Sequence, residues 1–296
     1  MSDDDNGMFR RTVLATTGGL AVAGVGSVAG QPEDEPGRGP QERCDDCHEA
    51  GNDGGSIDLS EVDGRNDKDE YEEIVEKRRQ GDPRDGLSTD VSGANPTMQN
   101  LTYVDHWKDE SETNPGCAWS SNGTTEGEHV VTVFKVEDED GYQPTDSDGN
   151  YRYLLELWSM QERTDGTGFG CVEPYIERLY NRIETNTDSE YNIFHYRDPA
   201  TKGPVNDERL TVRHSYTIGD VGYSSEEVVR FDDGYFGADT WTPGPEGEYA
   251  IEWTENDDNL AQVDMIGFVD IGLSNPDFDF DDNSGLSWRW KVETDP

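Results

Sequence analysis

Hydrophobic and polar positions alternate with a period of two along much of the chain beyond about residue 115. The segments that show this alternation are short, rich in β-branched and aromatic residues, and separated by Gly, Asn, Asp and Pro. Such a pattern predicts β-strands joined by turns. The predicted strands cover residues 129–136, 151–160, 190–197, 209–218, 226–231, 248–254, 261–273 and 286–293.

Many short strands with turn residues between them are typical of antiparallel sandwiches. We therefore predict a mainly β fold in which residues 115–296 form an antiparallel β-sandwich of the jelly-roll or immunoglobulin-like type. The segment "CVEPYIERLYNRIET", residues 171–185, fits either a helix or an irregular strand.

Residues 44–114 carry a different pattern. The stretch "KDEYEEIVEKRRQ" places Tyr71 and Val75 at helical spacing, and Gly81 and Pro83 follow its end, which predicts one helix. The remainder of this region is polar and rich in turn residues. We expect a small loop-rich, partly helical segment that precedes the sandwich.

The first 29 residues have the order of an export signal. Arg10 and Arg11 precede a modest apolar run rich in Gly and Ala, and small residues at 27–29 follow it. The run is too short and too weakly apolar for a membrane span, and the arginine pair resembles the twin-arginine class. We expect export by that route to an extracellular or cell-surface location, no transmembrane span in the mature chain, and a linker at residues 30–43.

Charge is the most unusual feature of the composition. The chain has 66 acidic and 23 basic residues, which gives a formal net charge of -43. Such a charge destabilises a compact state by self-repulsion, and salt screens it. The composition resembles that of proteins from salt-loving archaea. It also argues against a nucleic-acid partner, because phosphates require a basic face.

One short motif indicates a cofactor. Cys44 and Cys47 are separated by two residues and followed by His48, which is the sequence form of covalent c-type haem attachment. Two alternatives remain open for an exported chain, namely a disulfide or metal knuckle and an inert stretch of linker.

Residues 44–107 resemble the small class I cytochromes c. After His48 the chain runs through "EAGNDGGSIDLSEVDGRNDKDEYEEIVEKRRQGDP" to Met98, in the family's order of a Gly-rich loop, an Asp-Leu-Ser, an arginine-bearing turn and a helix. The resemblance implies a single haem tethered by Cys44 and Cys47. His48 and Met98 would be its iron ligands, with His106 as a reserve, and the protein would carry one electron at a time.

Two further constellations carry weaker predictions. Cys117 and Cys171 border strand-rich stretches and are expected to form a disulfide, the alternative being two buried thiols. Asp277, Asp279 and Asp281 alternate as in a calcium loop, but the glycine and the glutamate that such a loop requires are missing. Calcium is therefore not the preferred interpretation.

Three classes of function fit these observations. The first is an exported electron-transfer protein whose sandwich contacts a redox partner. The second is a secreted or cell-surface binding module for a carbohydrate or protein ligand, with a disordered N-terminal tether. The third is a carbohydrate-active enzyme on the sandwich, although the sequence contains no recognised catalytic motif. The remaining histidines lie at no recognised ligand spacing; they are His129, His195 and His214.

Overall fold

The structure of the protein is a computed structural model. The residues that it describes form thirteen strands and one helix, with turns between them. The structure describes residues 51–59, 67–80, 98–113, 124–164, 175–185, 192–196, 203–205, 210–229, 234–242, 247–255, 262–274, 276 and 286–295. All of them belong to one compact unit, Gly39–Pro296.

The elements follow one another in this order: β1 (Gly51–Asp58), α1 (Lys68–Gln80), β2 (Leu101–Thr113), β3 (Thr124–Val136), β4 (Tyr151–Thr164), β5 (Tyr175–Thr185), β6 (Asn192–Tyr196), β7 (Gly203–Val205), β8 (Leu210–Ile218), β9 (Val221–Val229), β10 (Gly234–Thr242), β11 (Glu248–Glu255), β12 (Gln262–Leu273) and β13 (Leu286–Asp295).

The strands form two large antiparallel sheets and one hairpin. The six-stranded sheet has the order β1-β13-β5-β11-β10-β7, the five-stranded sheet has the order β2-β3-β4-β12-β6, and β8 pairs only with β9. The two large sheets pack face to face. A Cβ added at Gly267 of β12 would lie 2.7 Å from side-chain atoms of both Ile251 and Tyr249 on β11, so the sheets approach closely there. The predicted antiparallel β-sandwich is confirmed.

The centre of the five-stranded sheet, at β4 and β12, is buried on both faces. Strands β4 and β12 bury nearly every side chain, whereas a strand with one solvent face alternates. Helix α1 and the β8–β9 hairpin cover the outer face. Tyr71 of α1 stacks on Tyr103 of β2 with ring centres 5.0 Å apart, and Tyr223 of β9 contacts Asp270 of β12. The fold thus has a third, partial layer over this sheet.

Most predicted elements are confirmed, with ends that differ by a few residues. The predicted helix coincides with α1, and the ambiguous segment at 171–185 contains the strand β5, Tyr175–Thr185. Each of the eight predicted strands overlaps one described strand; these strands are β3, β4, β6, β8, β9, β11, β12 and β13.

The predicted division near residue 114 requires a correction. Strand β1 pairs with β13 at the far end of the chain, and β2 pairs along its whole length with β3. The segment ahead of residue 115 therefore supplies an edge strand to each large sheet and is part of the sandwich. The export signal and linker, residues 1–43, lie outside the described residues. Within those residues, no helix is long and apolar enough to cross a membrane.

Candidate functional site

Most of the predicted cofactor residues cannot be placed. Cys44, Cys47 and His48 lie outside the described residues, so the haem site stays a prediction. The same holds for the disulfide between Cys117 and Cys171. The aspartates of the predicted calcium loop, Asp277, Asp279 and Asp281, also lie outside the described residues.

Met98 and His106, the predicted distal ligand and its reserve, are both described. Met98 is partly buried and packs against the main hydrophobic core. His106 is fully buried, and its Nδ1 lies 2.7 Å from the hydroxyl of Tyr103. Burial, together with the nearby Asp105 carboxylate, raises the pKa of Tyr103, so this phenol remains a neutral hydrogen-bonding group. His106 is therefore engaged within the layer between β2 and α1.

A chain of buried polar side chains runs between the two large sheets. It starts at the indole of Trp288, whose Nε1 donates to Asn181 Oδ1 over 2.8 Å, and Asn181 Nδ2 donates to Ser159 Oγ over 2.9 Å. Ser159 Oγ lies 2.9 Å from Nδ1 of His129, and Ser111 Oγ lies 3.0 Å from its Nε2. These groups are 0–5% exposed.

The chain continues from Ser111 toward the end of the sandwich. Ser111 Oγ donates to Gln161 Oε1 over 2.7 Å, and Gln161 Nε2 donates to the hydroxyl of Thr125 over 2.7 Å. Thr113 then lies within hydrogen-bonding distance of both Thr125 and Thr294, at 2.6 and 3.0 Å. Strands of both sheets contribute, so the chain fixes one sheet against the other.

The hydrogen bonds at either side determine which nitrogen of His129 carries the proton. Ser111 has one hydroxyl proton, and it donates this proton in a hydrogen bond to Gln161 Oε1, an atom that can only accept. His129 Nε2–H must therefore donate to Ser111. On the other side of the ring, Ser159 Oγ accepts a hydrogen bond from Asn181 Nδ2 and donates one to His129 Nδ1.

This direction decides what the pair can do chemically. A serine and a histidine 3.0 Å apart have the spacing of a nucleophile and its base. Here, however, His129 Nε2–H donates the hydrogen bond and Ser111 Oγ accepts it, which is opposite to the arrangement in which a histidine activates a serine. Burial also lowers the pKa of His129 to about 3, so the imidazole stays neutral. The pair is a structural link, not a catalytic dyad.

A buried ion pair joins α1 to the outer face of the five-stranded sheet. Arg78 Nη1 contacts Glu156 Oε1, and their side chains are 7% and 0% exposed. The guanidinium carbon also lies 4.3 Å above the ring of Trp158. Burial lowers the pKa of Arg78, but Glu156, Tyr71 and Glu227 together more than offset this effect, and the pKa is raised. The guanidinium of Arg78 is therefore charged where it meets the buried carboxyl group of Glu156.

A second buried carboxylate lies under the β8–β9 hairpin. Asp270 Oδ1 accepts a hydrogen bond from the hydroxyl of Tyr223, and Nε2 of His214 lies 3.0 Å from Asp270 Oδ2. All three side chains are at most 2% exposed. Burial and the adjacent carboxylate raise the pKa of Tyr223, which therefore remains a hydrogen-bond donor.

An open acidic groove of about 400 Å³ lies beside α1 on the same outer face. Lys77 and Lys108 contact Glu128 at 2.8 and 3.3 Å. Burial raises the pKa of Glu128, but the two ammonium groups outweigh it and lower the pKa. The lining residues are Lys77, Glu110, Ser111, Glu112, Glu126, Gly127, Glu128, Met160 and Glu162. No group of three potential ligands within the described ranges has the geometry of a metal site.

Neither a protein-family model nor a curated protein sequence matches this chain. Among solved structures, a chain described as "Pore forming protein" is 6% identical, and the match covers 59% of this chain and 78% of that one. Its TM-score is 0.28, so the likeness bears on neither the fold nor the function of this protein.

Sequence reasoning missed the buried polar chain because no motif spacing links its members. The available signal was the occurrence of polar residues at inward positions of otherwise apolar strands. Ser159 and Gln161 occupy such positions in β4, and His129 does so in β3. Residues of this kind are buried only when they are hydrogen-bonded, so they indicate a network.

Proposed function

We propose that this chain is an exported, non-enzymatic β-sandwich module that acts by binding a ligand outside the cell. The observation that carries this proposal is the direction of the hydrogen bonds around His129. The described residues that most resemble a catalytic pair, Ser111 and His129, are oriented so that the serine is not activated.

The two buried acids support the same proposal. A glycosidase requires two carboxyl groups that flank a bond of the substrate in an open cleft. Glu156 and Asp270 are both 0% exposed, and each is held by groups that cover the sheet, namely Arg78 in one case and Tyr223 and His214 in the other. These carboxylates stabilise the layering of the fold and are inaccessible to a polymer.

Binding without turnover can be tested on residues 30–296 in molar KCl. Immobilised protein is probed with an array of neutral and acidic oligosaccharides, and the same compounds are assayed for hydrolysis. We expect saturable binding of at least one arrayed class and no hydrolysis. Hydrolysis that disappears in Ser111→Ala or Glu156→Gln would contradict the proposal, and so would an array on which nothing is retained.

Export is proposed from the arginine pair ahead of the apolar run. Expression of the full chain in a haloarchaeal host should release the protein to the outside. Changing Arg10→Lys and Arg11→Lys together should retain it in the cell, because the twin-arginine signal is recognised as an address. The matched control is Arg38→Lys in the predicted linker, which should leave secretion unchanged. Equal secretion of the paired variant would contradict export by this route.

Single-haem electron transfer is a second candidate, favoured by the motif at Cys44, Cys47 and His48. Protein from a host that matures c-type cytochromes should then be red and keep its colour under denaturation, because thioether bonds hold the haem. Cys47→Ala should weaken this retention. Met98→Ala should lower the reduction potential, whereas Met265→Leu in the buried core should not. A colourless protein with unmodified cysteines would exclude this candidate.

A further inference from the structure

The outer face of the six-stranded sheet consists of charged and polar side chains that alternate with buried ones. On β5, Leu179 and Ile183 are fully buried between the sheets, and Arg178 and Arg182 point to the opposite side. The register places the outward positions of β13 and β11 beside those of β5. We call the outward residues at positions 287–293 of β13, 178–184 of β5 and 248–254 of β11 the neutral face.

This face carries as many cationic as anionic side chains. Its cations each contact one or two glutamates of the same face, and they are Arg178, Arg182, Arg289 and Lys291. The glutamates in these contacts are Glu184, Glu248, Glu252 and Glu293. The whole chain, by contrast, has 66 acidic and 23 basic residues. The neutral face is therefore a region without the net negative charge that the chain carries overall.

The ion pairs of the neutral face are accessible from solvent. Their side chains are between 22% and 52% exposed. The outer face of the five-stranded sheet, in contrast, is contacted by α1 and by the β8–β9 hairpin. An open sheet face does not enclose a small molecule, which binds in a concave site. Its shape is suited to an extended polymer.

Tyr235 of β10 lies at the border of the neutral face and supplies an aromatic surface. It is opposite Thr254 on β11, Thr254 is opposite Arg178 on β5, and Arg178 is opposite Glu293 on β13. Since neighbouring strands lie about 4.8 Å apart, this row extends over about 14 Å. Tyr235 is 48% exposed, and a tyrosine ring offers a large, rigid contact area with a polar end.

We propose that the neutral face binds an extended, uncharged polysaccharide, with Tyr235 as its aromatic anchor. This inference rests on the proposed binding function and assigns a site and a ligand class to it.

The chemistry of the ion pairs determines the ligand class. Guanidinium and ammonium groups only donate hydrogen bonds, carboxylates only accept them, and a sugar hydroxyl does both. Neighbouring donors and acceptors therefore suit a ligand that is rich in hydroxyl groups. An anionic group that approached Arg182 would also approach Glu184 and Glu248, which both contact Arg182. Repulsion from these carboxylates disfavours an acidic polymer.

The central cation of the row, Arg178, is held in place by its neighbours. It contacts Glu252, it lies 3.7 Å from Glu293, and its guanidinium carbon is 5.5 Å from the centre of the Tyr180 ring. A side chain that is already ordered loses little conformational entropy when a ligand binds, which favours affinity. Hydroxyl groups of the polymer would contact Arg178 while its apolar C–H surface packs on Tyr235.

Equilibrium depletion by polysaccharide beads tests the proposal on the full chain in molar KCl. Dextran, mannan and hydroxyethyl cellulose are the uncharged probes, and alginate and polygalacturonate are the anionic ones. We expect saturable retention on at least one uncharged polymer and none on the anionic polymers. Because salt screens the attraction between charges more than contacts to hydroxyl groups, retention should persist as the KCl concentration rises.

Variants of the row locate the site. Tyr235→Ala should weaken retention on the uncharged polymer at least about tenfold, because an aromatic anchor provides a large part of the binding energy. Tyr235→Phe keeps the ring and should retain most of the affinity. Tyr142→Ala is the matched control, since this tyrosine is 61% exposed in the loop between β3 and β4, and it should bind as the wild type does. Arg178→Gln should also weaken retention, and it decides if Tyr235→Ala does not fold.

The outcomes separate this site from the proposed function. Wild-type affinity of Tyr235→Ala, or of Arg178→Gln where the first variant does not fold, would overturn the site and leave the binding function standing. An equal loss in Tyr142→Ala would do the same. Retention on the anionic polymers alone would overturn the ligand class but not the binding function. A wild type that none of the polymers retains would overturn both proposals.

Discussion

The imidazole of His129 stacks on the indole of Trp290, with ring centres 4.0 Å apart and an angle of 6° between the ring planes. His129 belongs to the five-stranded sheet and Trp290 to the six-stranded sheet, so the stack joins the two halves of the sandwich. The indole Nε1 in turn donates to Asp109 Oδ2 over 2.8 Å. A polar contact thus lies where a sandwich core is ordinarily apolar.

Replacing His129 by Phe should retain the stack and break both hydrogen bonds of the imidazole. Ser111 and Ser159 would each lose a buried partner, and we expect a loss of about 2–4 kcal/mol in the free energy of unfolding. Urea denaturation in molar KCl measures this loss. His214→Phe is unsuitable as a control because it has its own buried contact, so Arg213→Ala, on the exposed side of β8, serves instead. A stability within about 0.5 kcal/mol of the wild type would show that the polar chain is dispensable.

The contact between Arg78 and Glu156 should show the behaviour of a buried ion pair. Arg78→Met and Glu156→Gln should each cost about 3–5 kcal/mol, because each leaves a buried charge without its partner. The double variant should lose clearly less than the sum of the two. Lys68→Met, which removes an exposed pair with Glu72 at 3.3 Å, should change stability by less than about 0.5 kcal/mol. Additive losses would mean that the two groups are not coupled.

Asn100 has a backbone conformation that favours glycine. Its φ angle is 57°, its side chain donates to the carbonyl of Gly222 over 2.7 Å, and its own carbonyl accepts from Glu137 N. Asn100→Ala should cost about 2–3 kcal/mol, since it loses this bond and strains the backbone. Asn100→Gly should cost only about 1 kcal/mol, because it loses the bond alone. Equal losses in thermal unfolding would contradict the assigned conformation.

Most of the fold follows from period-two patterning, and two of the strands that it missed, β1 and β2, have identifiable causes. In β2 a bulge between Tyr103 and Asp105 interrupts the alternation, and the inward positions near its end, Ser111 and Thr113, are polar. In β1 the sequence "GNDGGSID" has almost no apolar residue, and its strand conformation depends on pairing with β13. The local pattern of hydrophobic and polar residues does not predict a strand whose conformation depends on pairing with a distant segment.

The same distinction explains the site. Tyr71 and Val75 could be assigned to one helix face from their spacing of four residues. In the structure α1 packs both against the hydrophobic core. The partnership of Arg78 with Glu156 joins residues 78 positions apart, and Trp288 with Asn181 joins residues 107 apart. No spacing rule connects such residues. Polar side chains at inward strand positions predict that partners exist, but only the strand order identifies them.

Salt should stabilise this protein, and one row of glutamates should account for part of the effect. Glu112, Glu126 and Glu162 lie directly opposite one another on β2, β3 and β4, where like charges destabilise pairing. The melting temperature should rise with KCl into the molar range. Changing all three to Gln should raise it in dilute buffer and reduce its dependence on KCl.

The control for that row replaces three glutamates that have cationic partners. Glu72 contacts Lys68 at 3.3 Å, Glu137 contacts Lys135 at 3.5 Å, and Glu252 contacts Arg178. Their triple replacement by Gln removes the same charge but should not raise the melting temperature in dilute buffer to the same extent. Equal increases in melting temperature for the two triple variants would mean that the salt effect arises from net charge alone.

Buried ionisable side chains such as His129 maintain the structure of this protein, and the ¹⁵N chemical shifts of the His129 ring test this role. With a pKa lowered by burial to about 3, native His129 should remain neutral as the pH falls through the ordinary histidine range near 6.5. The unfolded chain takes up a proton over that range, so stability should decrease as the pH is lowered. We predict an imidazole protonated at Nε2 and bare at Nδ1 down to about pH 4. Titration near pH 6.5, or a proton on Nδ1 with Nε2 free to accept from Ser111, would contradict this account.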